Sequence, residues 1–101
     1  PVVVAGDFNA HSEEWGCSPW QRNPRGNVVA DWATGLRLVL INTGSSSTCV
    51  RPGGGESVID LTWASPSAAR NFREWVVEEE RESLSDHRFV MWSLRLPTPH
   101  R

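Results

Sequence analysis

The sequence predicts an α/β domain with a mixed or antiparallel sheet of about five strands and one main helix. Short apolar runs, either β-branched or alternating with polar residues, predict the strands. A single stretch with apolar residues at helical spacing predicts the helix. With 101 residues, 39% of them hydrophobic and 22% charged, the chain has a globular composition and the size of one domain or part of one.

The first half of the chain supplies one strand, a long loop and the helix. Val2–Ala5 is a run of mostly β-branched residues, typical of a strand that is buried on both faces. The loop over 11–26 contains two prolines, and loops of this length are uncommon unless they are functional. Asn27 is the expected helix N-cap, and Gly35 lies near the expected helix end.

The second half of the chain supplies most of the strands. Four runs have strand character: Leu36–Asn42, Ser57–Ser65, Arg73–Glu80 and Arg88–Leu96. The sequence also allows a helix at Arg73–Glu80. Thr48–Val50 is a candidate for a short extended piece, and Pro66–Asn71 for one helical turn. Residues 1–96 are therefore assigned to the domain and 97–101 to a tail or linker.

Charge and composition narrow the class of protein. A net charge of −2 and a pI near 5.9 argue against wrapping of nucleic acid over a broad basic surface, and leave only local basic clusters. No run approaches the roughly 18 apolar residues of a membrane span, so a membrane partner is not expected. Cys17 and Cys49 lack metal-site spacing and a disulfide-rich context, which favours a reducing, intracellular compartment.

Acidic and imidazole side chains stand beside three of the predicted strands. Asp7 and Asn9 follow the first strand, Asp60 lies within a later one, and Asp86 and His87 precede the last. A turn, an ion pair or a polar loop explains each place taken alone. Together they supply the parts that metal-dependent phosphodiester hydrolysis needs. Carboxylates bind a hard cation, a histidine serves as base, and a second carboxylate sets its tautomer.

Three motifs carry a resemblance to a known family. In order and spacing, "GDFNAHS", "SVIDLTW" and "LSDHR" resemble the endonuclease/exonuclease/phosphatase superfamily, whose fold is DNase-I-like. More narrowly, they resemble the endonuclease domain of non-LTR (LINE-type) retrotransposons. The resemblance runs to about Leu96 and implies the C-terminal half of a four-layer α/β sandwich. The N-terminal half of that family, which carries its principal metal-binding glutamate, has no counterpart here, so we expect this partial domain to be inactive alone.

The resemblance implies a chemical role for each matching site residue. Asp7 would position the attacking water or bind the metal, and Asn9 would contact the scissile phosphate. Asp86 would bind the metal. His87 would act as general base or transition-state stabiliser, oriented by Asp60. The implied metal is Mg²⁺, with Mn²⁺ as the alternative.

The resemblance also implies partners. Thr48, Ser57 and Ser85 would bind substrate, while His11 has no chemical step. DNA would also contact loop 15–25 and four arginines: Arg22, Arg25, Arg51 and Arg88. The expected reaction is a DNA nick that leaves a 3′-hydroxyl and primes reverse transcription. The expected partners besides DNA are the missing N-terminal half and a reverse transcriptase domain in the same polyprotein, acting in the nucleus.

Two other functions fit the same residues. A phosphatase of this superfamily, acting on phosphoinositides or another phosphoester, would use the same metal and base, because substrate choice lies in the loops. An inactive relic, acting at most as a binding module, would keep the motifs without the activity.

Overall fold

The computed structural model describes residues 1–80 and 83–95 of the chain. The strands are β1 (Val3–Asp7), β2 (Val39–Leu40), β3 (Cys49–Val50), β4 (Glu56–Ser57), β5 (Asp60–Ala64), β6 (Phe72–Glu78) and β7 (Phe89–Leu94). The helices are α1 (Pro24–Gly35) and the single turn α2 (Pro66–Ala69), and two short 3₁₀ turns lie at Glu13–Trp15 and Pro19–Gln21. Within the described residues, neither α1 nor α2 has the length and apolar character that a membrane crossing requires.

The predicted fold class is confirmed: the domain is α/β, its strand pairs are antiparallel, and one helix dominates. Its strands lie in three small sheets and not in a single one, with orders β1-β5-β2, β3-β4 and β6-β7. In the first sheet, Val3 pairs with Ala64 and Asp7 pairs with Asp60. This register brings the ends of two motifs that are far apart in sequence to the same edge of the sheet.

The core lies between α1 and the three-stranded sheet. Val29 and Ala33 of α1 are buried in one cluster with Trp15, Leu61 and Trp63. The Trp15 and Trp63 rings meet edge to face, with centroids 6.0 Å apart, a favoured aromatic geometry. Trp15 Nε1 donates to the carbonyl of Ala10, whereas the buried Trp63 Nε1 has no partner within the described part of the chain. Packing of the helix against the sheet therefore sets the position of the loop that follows β1.

The helix begins earlier than the sequence predicts. Asn23, not Asn27, is the N-cap: its side-chain oxygen accepts from the N–H of Gly26 at 2.9 Å. Pro24 then occupies the first helical position, where its missing N–H costs nothing and its φ suits a helix. The expectation at Asn27 was wrong because apolar spacing locates the buried face of a helix and not its first turn. The end at Gly35 is confirmed.

The predicted strand at Leu36–Asn42 is shorter than expected, and one ambiguous segment is decided. Only Val39–Leu40 of the run Leu36–Asn42 forms a strand, because Leu36 caps α1 and Arg37 turns the chain with a φ of +56°. The segment at Arg73–Glu80 is a strand, since β6 pairs with β7. The predicted end at Leu96 and the predicted tail at 97–101 lie outside the described residues.

Candidate active site

The loop after β1 is held by an unusual backbone conformation. Asn9 has a φ of +46°, in the left-handed region that asparagine tolerates better than most residues. The Asp7 Oδ1 accepts from the Asn9 N–H at 2.8 Å. That bond closes a tight turn at the end of β1, so Asp7 and Asn9 both lie exposed at the edge of the sheet. One Asp7 oxygen is engaged by this turn and the other, Oδ2, faces His87.

Asp60 is held at the start of β5 from two sides. The hydroxyl of Thr48, which is 0% exposed, accepts from the N–H groups of Ile59 and Asp60 at 3.0 and 3.1 Å. On the other side, Asn42 Nδ2 donates to the Asp60 carbonyl at 3.0 Å. The carboxylate therefore projects from a backbone whose hydrogen bonds are satisfied, and its side chain is only 19% exposed. No local sequence pattern predicts that Thr48 and Asn42 support Asp60 in this way.

His87 is brought to the same edge by the segment that precedes β7. Its backbone forms an isolated antiparallel bridge with Cys49. Neighbouring bonds run from the Val50 N–H to the Asp86 carbonyl at 2.8 Å and from the Arg88 N–H to the Thr48 carbonyl at 2.7 Å. The Ser85 hydroxyl also accepts from the His87 N–H at 2.9 Å. These bonds determine where the imidazole lies.

The three side chains meet in a line from Asp60 through His87 to Asp7. His87 Nδ1 lies 2.8 Å from Asp60 Oδ2 and 3.0 Å from Oδ1. On the opposite side of the ring, Nε2 lies 3.6 Å from Asp7 Oδ2, too far for a strong direct hydrogen bond. In the neutral imidazole the short contact places the proton on Nδ1, which leaves a lone pair on Nε2. This is the arrangement of a general base oriented by a carboxylate.

The same cluster can hold a metal ion. Asp7, Asp60 and His87 each offer one ligand atom within 4.8 Å of the others. Both Asp60 oxygens already contact the imidazole, however, so Asp7 Oδ2 is the carboxylate oxygen best placed for a cation. The chemistry of this donor set fits a hard cation that takes few protein ligands and completes its shell with water and phosphate oxygens.

The surrounding acids raise the pKa of His87 above its ordinary value of about 6.5. The hydrogen bond that His87 donates to Asp60 is the largest cause of this rise. The charges of Asp60, Asp7 and Asp86 also raise the pKa, while burial lowers it. Because the folded state holds this proton more tightly, the stability that His87 contributes is complete below about pH 6.5. It is lost as the pH rises through the folded-state pKa.

We therefore expect an NMR titration of the His87 ring to give a pKa above 6.5 in the wild-type chain. Asp60→Asn should lower that value, because the amide replaces the negative partner of Nδ1. Asp31→Asn, which removes one exposed carboxylate from α1, is the matched control and should leave it unchanged. A His87 pKa that is the same in the Asp60→Asn variant and the wild type would contradict the arrangement.

The other predicted site residues lie near this line without joining it. Asp86 is exposed and lies outside the three-residue cluster, although its charge reaches His87. Ser57 is half-buried in β4, and its carbonyl accepts from the Thr48 N–H. Thr48 has no exposed surface, so it lies behind Asp60 and supports it.

Sequence reasoning gave His11 no role, and the structure assigns it one in shaping the loop. Asn23 Nδ2 lies 2.9 Å from His11 Nδ1, and the Asn23 oxygen accepts from the His11 N–H at 3.1 Å. The His11 carbonyl lies so close to Gly26 that a side chain there would collide with it at 2.0 Å. These contacts tie the start of α1 to the loop after β1. The Asn-Pro pair at 23–24 was the available sequence signal.

Comparisons with known proteins identify the family and the fold of the chain. A family model described as endonuclease-reverse transcriptase matches residues 1–91. Among solved structures, the chain is similar to the endonuclease domain of TRAS1, a telomere-specific non-LTR retrotransposon, with a TM-score of 0.82 and 28% sequence identity. That match covers 95% of this chain but 44% of the TRAS1 chain, so this chain spans less than half its length. No curated protein matches the chain. Since the family model spans most of its residues, the chain belongs to the endonuclease–reverse transcriptase family.

Proposed function

We propose that this chain is part of a metal-dependent endonuclease that nicks DNA within a non-LTR retrotransposon polyprotein, where the nick primes reverse transcription. The observation that carries the proposal is the line from Asp60 through His87 to Asp7 at one edge of the sheet. It supplies a base with a free nitrogen, a carboxylate that orients the base, and a second carboxylate facing that nitrogen. The family and the fold support the substrate class.

His87 is the base in this mechanism. While the Nδ1–H group is hydrogen-bonded to Asp60, the Nε2 lone pair takes a proton from a water molecule as that water attacks phosphorus. Asp60 stabilises the imidazolium that forms. Asp7 Oδ2, which lies 3.6 Å from Nε2, orients the water between the two groups. The bond to the 3′ oxygen breaks as the bond from water forms, and the leaving oxygen takes a proton from solvent water, which leaves a 3′-hydroxyl and a 5′-phosphate. The His87 imidazolium then returns its extra proton to solvent, which restores the base.

The proposed metal is Mg²⁺, with Mn²⁺ as the alternative. Asp7 of the cluster and the neighbouring Asp86 would hold it. When bound, the metal neutralises charge that develops on the phosphate oxygens. Asn9 is exposed next to Asp7 on the strained turn, from where its amide would contact the scissile phosphate. Ser57 and Ser85 are proposed to line the substrate path. Thr48 acts through Asp60, since its hydroxyl is buried and engaged.

The chain would act together with the rest of the domain. Several apolar side chains of the β6-β7 pair are at least one-third exposed: Val76, Phe89, Met91 and Trp92. A second layer packed against them would bury this surface. The match covers only 44% of the TRAS1 endonuclease domain, so the remaining part of such a domain could form this layer. We propose that the N-terminal half of the domain forms that layer. A reverse transcriptase domain would be part of the same polyprotein, and the protein would act in the nucleus.

The decisive experiment is a nicking assay on supercoiled plasmid. The chain alone and the longer natural protein that contains it are compared with Mg²⁺ and with EDTA. We expect Mg²⁺-dependent conversion to open circles by the longer protein and none by the chain alone. Phosphate release from inositol phosphates without nicking would assign a phosphatase. Inactivity of both proteins toward both substrates would indicate an inactive relic.

A further inference from the structure

Arg25 connects helix α1 to the turn formed by Asp7, Phe8 and Asn9, which is called the catalytic turn below. Its Nε donates to the carbonyl of Phe8 at 2.9 Å, and Phe8 lies between Asp7 and Asn9 in the chain. The N–H of Phe8 donates in turn to the carbonyl of Ile59 at 2.9 Å. The peptide groups on both sides of Phe8 are thus held, one by Ile59, which directly precedes β5, and the other by Arg25.

The remaining donors of Arg25 are available. A guanidinium carries five N–H donors, and the Phe8 carbonyl uses only the one on Nε. Arg22 pairs with Glu13 and Arg88 with Glu79, but no carboxylate in the described ranges pairs with Arg25. Its side chain is exposed. An unpaired cation with four free donors therefore stands directly beside the Asp7–Asn9 turn.

The position of Arg25 is also rigid. It is the second residue of α1, after Pro24, whose ring sets φ. The side chain of Asn23 caps this end of the helix, and Gly26 lies in close contact with the His11 carbonyl. Because a guanidinium is planar, the bond from Nε also restricts the plane in which its terminal nitrogens lie. Planar pairs of N–H donors match the geometry of a phosphate.

We propose that Arg25 couples DNA binding to the catalytic turn. Its terminal nitrogens bind a DNA backbone phosphate next to the scissile one, while Nε holds the Phe8 carbonyl and with it the turn that carries Asp7 and Asn9. Arg25 is thus a substrate-binding residue and a positioning residue. The inference rests on the proposed function, because it takes DNA as the substrate.

The two tasks of Arg25 can be separated by two substitutions in the longer natural protein. Binding to an unnicked duplex oligonucleotide is measured in EDTA over a range of salt concentrations, and nicking of plasmid in Mg²⁺ is measured separately. Arg25→Gln should weaken binding about tenfold and reduce the slope of log K against log salt by about 0.9, the value for one phosphate contact. Arg25→Lys keeps the charge, so it should keep the slope. It loses the Nε donor, so its kcat for nicking should fall about three- to tenfold.

Arg37→Gln is the matched control. It removes one exposed arginine just after the other end of α1. The helix between Arg25 and Gly35 is about 15 Å long at 1.5 Å per residue, so this change should leave both the slope and kcat unchanged. If Arg25→Gln keeps the wild-type slope while the wild-type protein nicks DNA, the inference is wrong and the proposed function stands. If the wild-type protein does not nick DNA, the proposed function fails. The slope measured in EDTA still tests the contact of Arg25 with phosphate.

Discussion

We expect Asp60→Asn to lower the proposed rate of DNA nicking by about 10²- to 10⁴-fold, the range expected when general base catalysis is lost. The carboxylate accepts the Nδ1 proton of His87, which leaves Nε2 free to accept a proton from water. An asparagine amide turned toward the ring donates to Nδ1 instead, and the ring proton then moves to Nε2. The base is present in this variant, but in the wrong tautomer. His87→Ala removes the base altogether and should cost at least as much.

Asp31→Asn provides the control for this experiment. It makes the same change at an exposed position of α1, outside the Asp7, Asp60 and His87 cluster, and should nick at the wild-type rate. Rates are measured in the longer natural protein, on supercoiled plasmid with saturating Mg²⁺, and circular dichroism checks that each variant is folded. Nicking at the wild-type rate by both Asp60→Asn and His87→Ala would refute the proposed mechanism.

Thr48→Val should lower the free energy of unfolding by about 2–4 kcal/mol. A buried group left without a partner costs about 1–3 kcal/mol, and of the two N–H groups affected that of Ile59 is buried and that of Asp60 is only partly buried, so its cost is smaller. The two side chains have nearly the same shape, but valine cannot accept from the N–H groups of Ile59 and Asp60. Both N–H groups then lose this partner next to the Asp60 carboxylate. The nicking rate should fall as well, since the start of β5 is free to shift.

Two control variants test whether the lost hydrogen bonds cause this effect. Thr48→Ser changes the side chain but keeps the hydroxyl, and Thr34→Val makes the same substitution at an exposed position. Serine keeps the hydroxyl and should retain most of the wild-type stability. Thr34 is exposed on α1, and its change to valine should alter the free energy of unfolding by less than about 0.5 kcal/mol. Chemical denaturation followed by tryptophan fluorescence gives all three values. Equal stability of Thr48→Val and the wild type would show that the hydroxyl does not hold β5 in place.

Part of the site can be predicted from the sequence because its residues stand in short motifs at the ends of strands. Asp7 follows a β-branched run, Asp60 lies within an alternating run between apolar neighbours, and His87 precedes another alternating run, so each was identified as chemically unusual. The metal-binding roles of Asp7 and Asp86, and the substrate contacts of Asn9, remain predictions. The structure contributes their placement, which is compatible with those roles.

The sequence by itself determined the fold class, the helix and the main strands, because apolar spacing reports which face of a segment is buried. Only the tertiary structure decided which side chains meet. The contact between Asp60 and His87 joins residues 27 positions apart. It depends on the pairing of Asp7 with Asp60 and on the bridge between Cys49 and His87. No local pattern of residues specifies the distance between two segments that are far apart in the chain. The pairing register of the strands, the hydrogen bonds of Thr48 to backbone N–H groups and the hydrogen bond from Arg25 to Phe8 therefore appear only in the folded chain.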